Sequence, residues 1–353
     1  MPGFDPSGTR TLLRLLSSEL AHAAPPLKLK KLGRAGSFSR WTIHRSTQAT
    51  AENPVNLTVL SWDDIVRQRW TKNGWKLCWQ GLRLYGHYMP RWRMLHTLRK
   101  WPKASFTFFW PLVFVLSISL SALASILAIT LIPIIAGIKI ALISSVLAGW
   151  TLFGLKQSDQ RRVDWLFRAI HFSCRLTERE GTDLSDRLDF FAERLKKQID
   201  ENPNQEHIVV GYSTGAYLAI KVILRILTIN QYIALKTKPK LITMGQNPGF
   251  SASMSLQKNF RNELKALLDS SIQWADLASA DDWMSFAEVD LREVLKQPPG
   301  DCPKRVQAAL AEACGLKGPK DILNNQFVLH FQYFRHSKAF SCLDWLVSSH
   351  LDA

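Results

Sequence analysis

Residues 104–155 constrain the fold of this chain more than any other stretch. These 52 residues contain a single charged side chain, Lys139. A segment so long and so apolar is untypical of a soluble core helix, and it is long enough for two membrane crossings of about 20 residues each. We expect a first span over 106–128 and a second over 133–153, and a single long re-entrant helix is the alternative.

The segment that precedes this apolar stretch is strongly basic. Residues 65–103 contain ten lysines and arginines, no acidic residue and five interleaved tryptophans. Tryptophan rings favour the lipid headgroup layer, and cations favour anionic lipid, so we expect a membrane-surface segment here. Basic residues mixed with aromatic ones also suit nucleic acid. No RNA- or DNA-binding motif accompanies them, so nucleic acid is not an expected partner despite the net charge of +16.

Charges on both sides of the apolar stretch predict its orientation. Basic residues lie at 99–103 on one side and at Lys156, Arg161 and Arg162 on the other. The positive-inside rule therefore places both ends of the hairpin in the cytoplasm.

The first ten residues are polar and rich in turn formers, unlike a signal peptide. The five dispersed cysteines form no C-x-x-C pair and are typical of reduced thiols.

A G-x-S-x-G motif lies in the sequence HIVVGYSTGA at 207–216. The apolar residues 208–210 predict a short buried strand, and 216–229 has apolar residues at helical spacing with Lys221 and Arg225 facing outward. Strand, motif and helix together indicate a nucleophile elbow, in which the glycines permit a sharp turn that exposes the hydroxyl of Ser213. The N-terminus of the helix directs backbone N–H groups and partial positive charge towards any oxyanion formed there.

Hydrophobic periodicity predicts the remaining elements. Helices are expected over 9–21, 164–178, 183–199, 256–268 and 304–314, and strands over 37–45, 55–60, 240–245, 271–277 and 326–330. Trp62, Asp63 and Asp64 are expected to cap the basic helix that follows, with an active-site role as the alternative. Helices that alternate with strands predict an α/β fold with a mostly parallel sheet and helices on both faces.

Several motifs together resemble a family of uncharacterised bacterial α/β-hydrolase-like membrane proteins. They are GFDPSG at 3–8, WDDIV at 62–66, the apolar hairpin, GYSTGA at 211–216 and LHFQY at 329–333. The resemblance spans nearly the full length and implies an α/β-hydrolase-like fold in a bacterial inner membrane, with the soluble part facing the cytoplasm. It also implies an oxyanion hole formed by the backbone N–H groups of Thr214 and of Phe4 or its neighbour. A strand precedes the first motif in that family, so we expect either residues upstream of Met1 or an incomplete sheet position.

A serine nucleophile requires a base, and the base requires an orienting carboxylate. In this fold both follow the serine, in the order acid and then histidine. The candidate acids are Asp276, Asp281 and Asp282, and the spacing in the resembled family favours Asp282 over Asp281. His330 is the expected base, because it ends an apolar segment late in the chain, and His336 and His350 are the alternatives.

The sequence contains no pattern typical of a metal or nucleotide site. H-E-x-x-H, paired cysteines, G-x-x-x-x-G-K-[ST] and G-x-G-x-x-G are all absent, so we expect no metal and no cofactor. A Pro- and Gly-rich stretch over 295–325 separates the candidate acid from the candidate base. It is either a lid over the site or an ordinary connection.

The expected organisation has four parts. These are an N-terminal part of the hydrolase-like domain over 1–64, the membrane-surface segment over 65–103, the hairpin over 104–155 and the main hydrolase-like part over 156–353. The expected function is that of a membrane-anchored serine esterase or lipase acting on an apolar or lipid-like small-molecule ester, with the bilayer as its other partner. The alternative is an inactive hydrolase-like protein that serves as a membrane scaffold, since fold alone does not fix function.

Overall fold

The computed structural model describes residues 1–22, 27–45, 55–88, 99–178, 181–229, 238–245, 248–253 and 258–334. The chain forms two compact units. The sheet unit lies within residues 1–70 and 173–353, and the hairpin unit is residues 71–172. The predicted boundaries at residues 64, 103 and 155 remain predictions.

The described residues form strands and helices, which alternate from residue 208 to residue 307. The strands are β1 Leu27–Ala35, β2 Phe38–Arg45, β3 Val55–Leu60, β4 Ile208–Tyr212, β5 Lys240–Met244, β6 Trp274–Ala278 and β7 Lys304–Gln307. The helices up to the elbow are α1 Gly8–His22, α2 Asp63–Arg69, α3 Gly74–Tyr88, α4 Pro102–Leu131, α5 Ala136–Gln160, α6 Val163–Glu178 and α7 Thr182–Glu201. After the elbow come α8 Thr214–Ile229, α9 Pro248–Ser253, α10 Lys258–Leu268, α11 Leu291–Leu295, α12 Leu310–Ala313, α13 Pro319–Asn324 and α14 Gln326–His330, followed by a short 3₁₀ helix Gln332–Phe334.

Strands β4 to β7 form a parallel sheet in which their spatial order is their chain order. Helix α8 packs against β4, β5 and α7, while α9 packs against α11. On the other face, Tyr212, Met244 and Leu277 join a buried cluster with Leu329 and Tyr333. Crossover connections place helices on the faces of a parallel sheet, so its strands are buried on both sides. The predicted α/β class, with a parallel four-stranded sheet and helices, is confirmed.

Strands β1, β2 and β3 form a separate antiparallel sheet in that order. Its inner face packs against α1 through a small cluster that contains Leu16, Leu20 and Ile43. The predicted strands over 37–45 and 55–60 are confirmed. Strand β1 was not predicted, because its lysines obscured the alternation of Leu27 and Leu29 with exposed basic residues.

Two predicted elements near the C-terminal end are wrong. Residues 304–314 are not one helix, since 304–307 form the edge strand β7 and only 310–313 are helical. Residues 326–330 form helix α14 rather than a strand. Residues 326–330 contain only three consecutive apolar side chains, 327–329, and so short a run occurs in buried strands and in buried helices alike.

Lys221 in α8 is a further correction. The helical pattern placed it on the outward face, but only 9% of its surface is exposed. Its Nζ lies 2.6 Å from Oε2 of Glu263 in α10. Helix α10 covers this side of α8, and the ion pair compensates for burying the ammonium group.

The hairpin unit contains the two apolar helices α4 and α5, which pack against each other. Both are long and apolar enough to cross a membrane. Trp150 donates a hydrogen bond from Nε1 to Oγ of Ser125 at 3.1 Å, and Nζ of Lys139 lies 3.0 Å from the carbonyl of Thr130. The sequence-predicted spans therefore correspond to two helices with a turn between them, rather than to one re-entrant helix.

A bidentate salt bridge joins helix α2 to α7. Arg187 donates from Nη2 to Oδ2 of Asp64 at 2.7 Å and from Nη1 to Oδ1 at 3.0 Å. The hydrogen bonds from Arg187 lower the pKa of Asp64 below its usual value. A carboxyl group whose pKa is lowered by folding stabilises the folded state at any pH above its unfolded pKa, and this contribution disappears as the pH falls through the lowered value.

We expect Asp64→Asn to lower the free energy of unfolding at pH 7 by about 0.2–1 kcal/mol, because the pair is partly exposed to solvent. The difference from wild type should shrink below pH ~4, where the unfolded carboxyl group is protonated. Urea unfolding of both proteins at several pH values measures this. An equal difference at all pH values would contradict the assigned ion pair.

Candidate functional site

Ser213 lies in the turn between β4 and α8. Its φ is +55°, in the left-handed region that residues other than glycine rarely occupy. The turn is fixed on both sides, since the N–H of Ser213 donates to the carbonyl of Met244 at 2.8 Å and its carbonyl accepts from Ala216 at 2.9 Å. The strand, the tight turn and the helix around Ser213 are those that the sequence context predicted.

The two glycines of the motif are required by close packing. A Cβ at Gly211 would lie 2.6 Å from the Cα of Ala216 and 2.7 Å from the Cβ of Ala219. A Cβ at Gly215 would lie 2.4 Å from the carbonyl oxygens of Met1 and Pro2. Side chains at these positions would push α8 away from β4 and from the N-terminal segment.

Ser213, His330 and Asp282 form a chain of hydrogen bonds. His330 Nε2 lies 3.0 Å from Oγ of Ser213, and His330 Nδ1 lies 2.9 Å from Oδ2 of Asp282. Both His330 and Asp282 are only 2% exposed. The neutral tautomer with its proton on Nδ1 satisfies both contacts, because it donates to the carboxylate and leaves Nε2 to accept from the hydroxyl. This arrangement can remove a proton from Ser213.

Asp282 is fixed by the loop that contains it. Its Oδ1 accepts from the N–H of Met284 at 3.0 Å, which leaves Oδ2 for the histidine. Gln326, at the start of α14, binds the same loop. Its Oε1 accepts from the N–H of Trp283 at 2.7 Å, and its Nε2 donates to the carbonyl of Asp281 at 2.9 Å. This side chain couples the loop of Asp282 to the helix of His330.

The other two candidate acids lie elsewhere. Asp276 is buried in β6, where its Oδ1 accepts from Oγ1 of Thr243 at 2.6 Å. Asp281 is in the loop after β6, and its N–H donates to Oγ of Ser279 at 3.3 Å. The carboxylate in contact with His330 is that of Asp282, the first choice from the sequence. The alternative bases His336 and His350 lie outside the described residues.

Tyr212 supports His330 and was not predicted as part of the site. Its hydroxyl donates to the carbonyl of His330 at 2.5 Å. Burial raises the pKa of Tyr212 well above its usual value, so the phenol remains a donor. The hydroxyl of Tyr333 accepts from the N–H of Ser279, which is close to the acid loop. In the sequence, the signal that could have indicated this role of Tyr212 was its position as the aromatic residue directly before Ser213 in the motif.

The N-terminal loop lies against the nucleophile. A Cβ at Gly3 would be 3.0 Å from the Cβ of Ser213. Met1 pairs with the edge of β4, since its nitrogen lies 2.6 Å from the carbonyl of Val210 and its carbonyl accepts from Tyr212 at 3.2 Å.

The segment Trp62–Arg67 holds this loop. Trp62 donates from Nε1 to the carbonyl of Pro2 at 2.9 Å, and Arg67 donates from Nη1 to the carbonyl of Pro6 at 2.8 Å. Asp63 accepts from the N–H of Thr9 at 3.1 Å and from its hydroxyl at 3.0 Å, and burial raises the pKa of Asp63. The predicted carboxylates are present in the first turn of α2, at Asp63 and Asp64, whereas Trp62 at the N-cap makes no side-chain cap bond. Asp63 also satisfies an N–H in the first turn of α1, a contact that was not predicted.

The two predicted oxyanion donors lie on either side of Ser213. Thr214 is the first residue of α8, where helix geometry leaves its N–H without an intrahelical partner. Phe4 follows Gly3, and its buried ring stacks on that of Trp70 with ring centroids 5.5 Å apart. The loop of Gly3 and Phe4 and the N-terminus of α8 therefore both lie next to Ser213.

Among the described residues, no three His, Cys, Asp or Glu side chains converge as metal ligands. In the segment over 295–325, residues 304–307 pair with β6 as the edge strand β7. The interpretation of this segment as a lid or as an ordinary connection stays a prediction. Comparisons of the chain with models of protein families, with curated proteins and with solved structures gave no match.

We expect Gly211→Ala to destabilise the sheet unit by about 1–3 kcal/mol, because the added methyl group forces α8 and β4 apart. Thermal unfolding of the solubilised protein measures this. Gly33→Ala is the matched control, since a Cβ at Gly33 meets nothing within 4 Å. Equal melting temperatures for the two variants would contradict the close packing at the elbow.

Proposed function

We propose that this protein is a membrane-anchored serine hydrolase of the α/β-hydrolase type that cleaves esters by acyl transfer to Ser213. The observation that carries the proposal is the continuous hydrogen-bonded chain from Ser213 Oγ through His330 to Asp282, built on a serine with φ of +55°. The order of these residues along the chain is that of the α/β-hydrolases.

In the first half of the reaction, Ser213 Oγ attacks the carbonyl carbon of the ester while His330 Nε2 accepts its proton. The carbonyl oxygen becomes negative in the tetrahedral intermediate, and the N–H groups of Thr214 and of the Phe4 loop stabilise it. The intermediate then collapses, the carbon–oxygen bond to the alcohol breaks, and His330 returns its proton to the departing oxygen. The products are the free alcohol and an acyl group bound to Ser213.

Water completes the cycle. His330 Nε2 removes a proton from a water molecule as that water attacks the acyl carbon, and the proton then passes to Ser213 Oγ as the acid leaves. Asp282 holds the imidazole in the required tautomer and stabilises its positive charge in both halves. Because the pair is almost fully buried, the carboxylate acts on the imidazolium with little screening by water.

The substrate class follows from the membrane hairpin. Helices α4 and α5 are long and apolar enough to span a bilayer, and a hydrolase held in a bacterial inner membrane meets apolar and lipid-like esters there. The basic residues that flank the hairpin support a cytoplasmic position for the sheet unit. The proposed reaction requires neither a metal ion nor a cofactor.

A fluorophosphonate probe tests the nucleophile in membranes that contain the protein. We expect labelling of wild type and none of Ser213→Ala. Ser251→Ala is the matched control, because Ser251 is buried in α9, outside the site. Absence of labelling in folded wild type would contradict the proposal and favour an inactive scaffold.

Substitution of the acids tests their assignment. We expect Asp282→Asn to lower the turnover of a chromogenic ester by about 10⁴-fold, as loss of the orienting carboxylate does in serine hydrolases. Asp281→Asn should retain most activity, since its side chain is not the one in contact with His330. The opposite ranking would contradict the role given to Asp282.

Gln326→Leu tests the coupling of acid loop and base helix. Loss of its hydrogen bonds should displace Asp282 and His330 relative to each other and lower kcat by up to about 10²-fold, with KM little changed. Gln198→Leu is the control, because Gln198 in α7 is half-buried and bonds to Thr58, away from the site. An unchanged kcat for Gln326→Leu would show that the coupling is not needed.

A further inference from the structure

Helix α3 of the hairpin unit has two contrasting faces. Leu77, Gly81, Leu84, Tyr85 and Tyr88 are buried. On the opposite side Trp75, Trp79 and Leu82 are 82%, 56% and 63% exposed. Their spacing of four and three residues places all three on one side of a helix. Outside α4, α5 and their connecting turn, Trp75 is the most exposed large apolar side chain of the described residues.

The buried face of α3 is fixed to the rest of the hairpin unit. Tyr85 donates from its hydroxyl to the carbonyl of Phe108 in α4 at 2.8 Å. A Cβ at Gly81 would lie only 1.7 Å from the ring of Phe167 in α6, so helix and ring are in close contact. Helix α3 is therefore attached at the level of Phe108, and its tryptophans are presented outward by a rigid support.

The position of Phe108 along α4 sets the depth of Tyr85, the residue of α3 that is bonded to it. The buried residues of α4 all lie between Ala104 and Pro111, and none is buried from Leu112 onward. The 20 residues from Leu112 to Leu131 span about 30 Å, the thickness of the hydrocarbon layer. Phe108 is then about one helical turn outside this layer, at the depth of the lipid headgroups.

The exposed surface of α3 also carries positive charge. Lys76 and Arg83 of α3 and Lys72, two residues before its start, are exposed. No acidic residue occurs anywhere in 65–103. An apolar face rich in tryptophan with cations beside it is typical of helices that lie in the interface of a membrane containing anionic lipid.

We propose that α3 is an interfacial helix whose face of Trp75, Trp79 and Leu82 inserts at the boundary between headgroups and acyl chains, with Lys72, Lys76 and Arg83 bound to anionic headgroups. The inference rests on the membrane anchoring in the proposed function and is independent of the hydrolase chemistry. It assigns this face a lipid partner, and it gives the hairpin unit a contact with the bilayer surface besides its two spans.

The test uses the full chain, labelled with fluorotryptophan, in nanodiscs of phosphatidylcholine and phosphatidylglycerol. Lipids that carry a nitroxide near the headgroup or on the acyl chain broaden the fluorine resonances of tryptophans in contact with them. Trp75→Phe and Trp79→Phe assign the two α3 signals. Trp150 in α5 is the control inside the bilayer, and the buried Trp274 of β6 is the control away from it.

We expect the headgroup label to broaden the signals of Trp75 and Trp79 and to leave that of Trp274 sharp. If the acyl-chain label broadens the signal of Trp150 while neither label broadens those of Trp75 and Trp79, the interfacial helix is overturned and the membrane anchoring stands. If neither label broadens the signal of Trp150, the membrane anchoring is wrong, and the interfacial helix is wrong with it. Fluorophosphonate labelling of Ser213 would still test the hydrolase chemistry separately.

The preference for anionic lipid has its own comparison. In nanodiscs of phosphatidylcholine alone, the broadening of Trp75 and Trp79 should decrease, because the three cations lose their partners. The triple variant Lys72→Gln, Lys76→Gln and Arg83→Gln should lower the broadening in mixed nanodiscs to the same level. Equal broadening in all three samples would overturn the assignment of anionic headgroups.

Discussion

The left-handed turn at Ser213 is the constraint on which the rest of the site depends. A serine with φ of +55° is unfavourable by itself, and the surrounding packing must hold it there. Gly211 and Gly215 permit the contacts that do so, with α8 against β4 on one side and the N-terminal backbone on the other. The same turn aims the hydroxyl at His330 and places the N-terminus of α8 beside it. One piece of backbone therefore sets both the contact with the imidazole and the position of the helix amides.

Sequence reasoning predicted the parts of the site that follow from local rules. The strand, glycine pattern and helix around Ser213 are contiguous, and the chain order of acid and base narrowed the partners to a few residues. The contacts that hold the N-terminal loop were missed. Trp62, Asp63 and Arg67 bind the N-terminal loop across more than 50 residues of chain, and no spacing rule indicates that. Helix α14 was predicted as a strand because its apolar run is too short to show a period.

Hydropathy predicted the two apolar helices of the hairpin unit. A run of 52 residues with one charge has few alternatives to two apolar helices, and the structure has these helices. The orientation of α3 could not be predicted in the same way. Its tryptophans and its buried leucines have similar hydrophobicity, so only packing against Phe108 and Phe167 reveals which face remains outside.

The most direct measurement is an experimental structure of the protein after reaction with a fluorophosphonate. We expect a phosphorus atom bonded to Ser213 Oγ, with Asp282 and His330 still in contact. One phosphonyl oxygen should lie about 3 Å from the N–H of Thr214 and face the loop of Phe4. A structure with Ser213 unmodified, or with the phosphonyl oxygen directed away from the N-terminus of α8, would contradict this expectation.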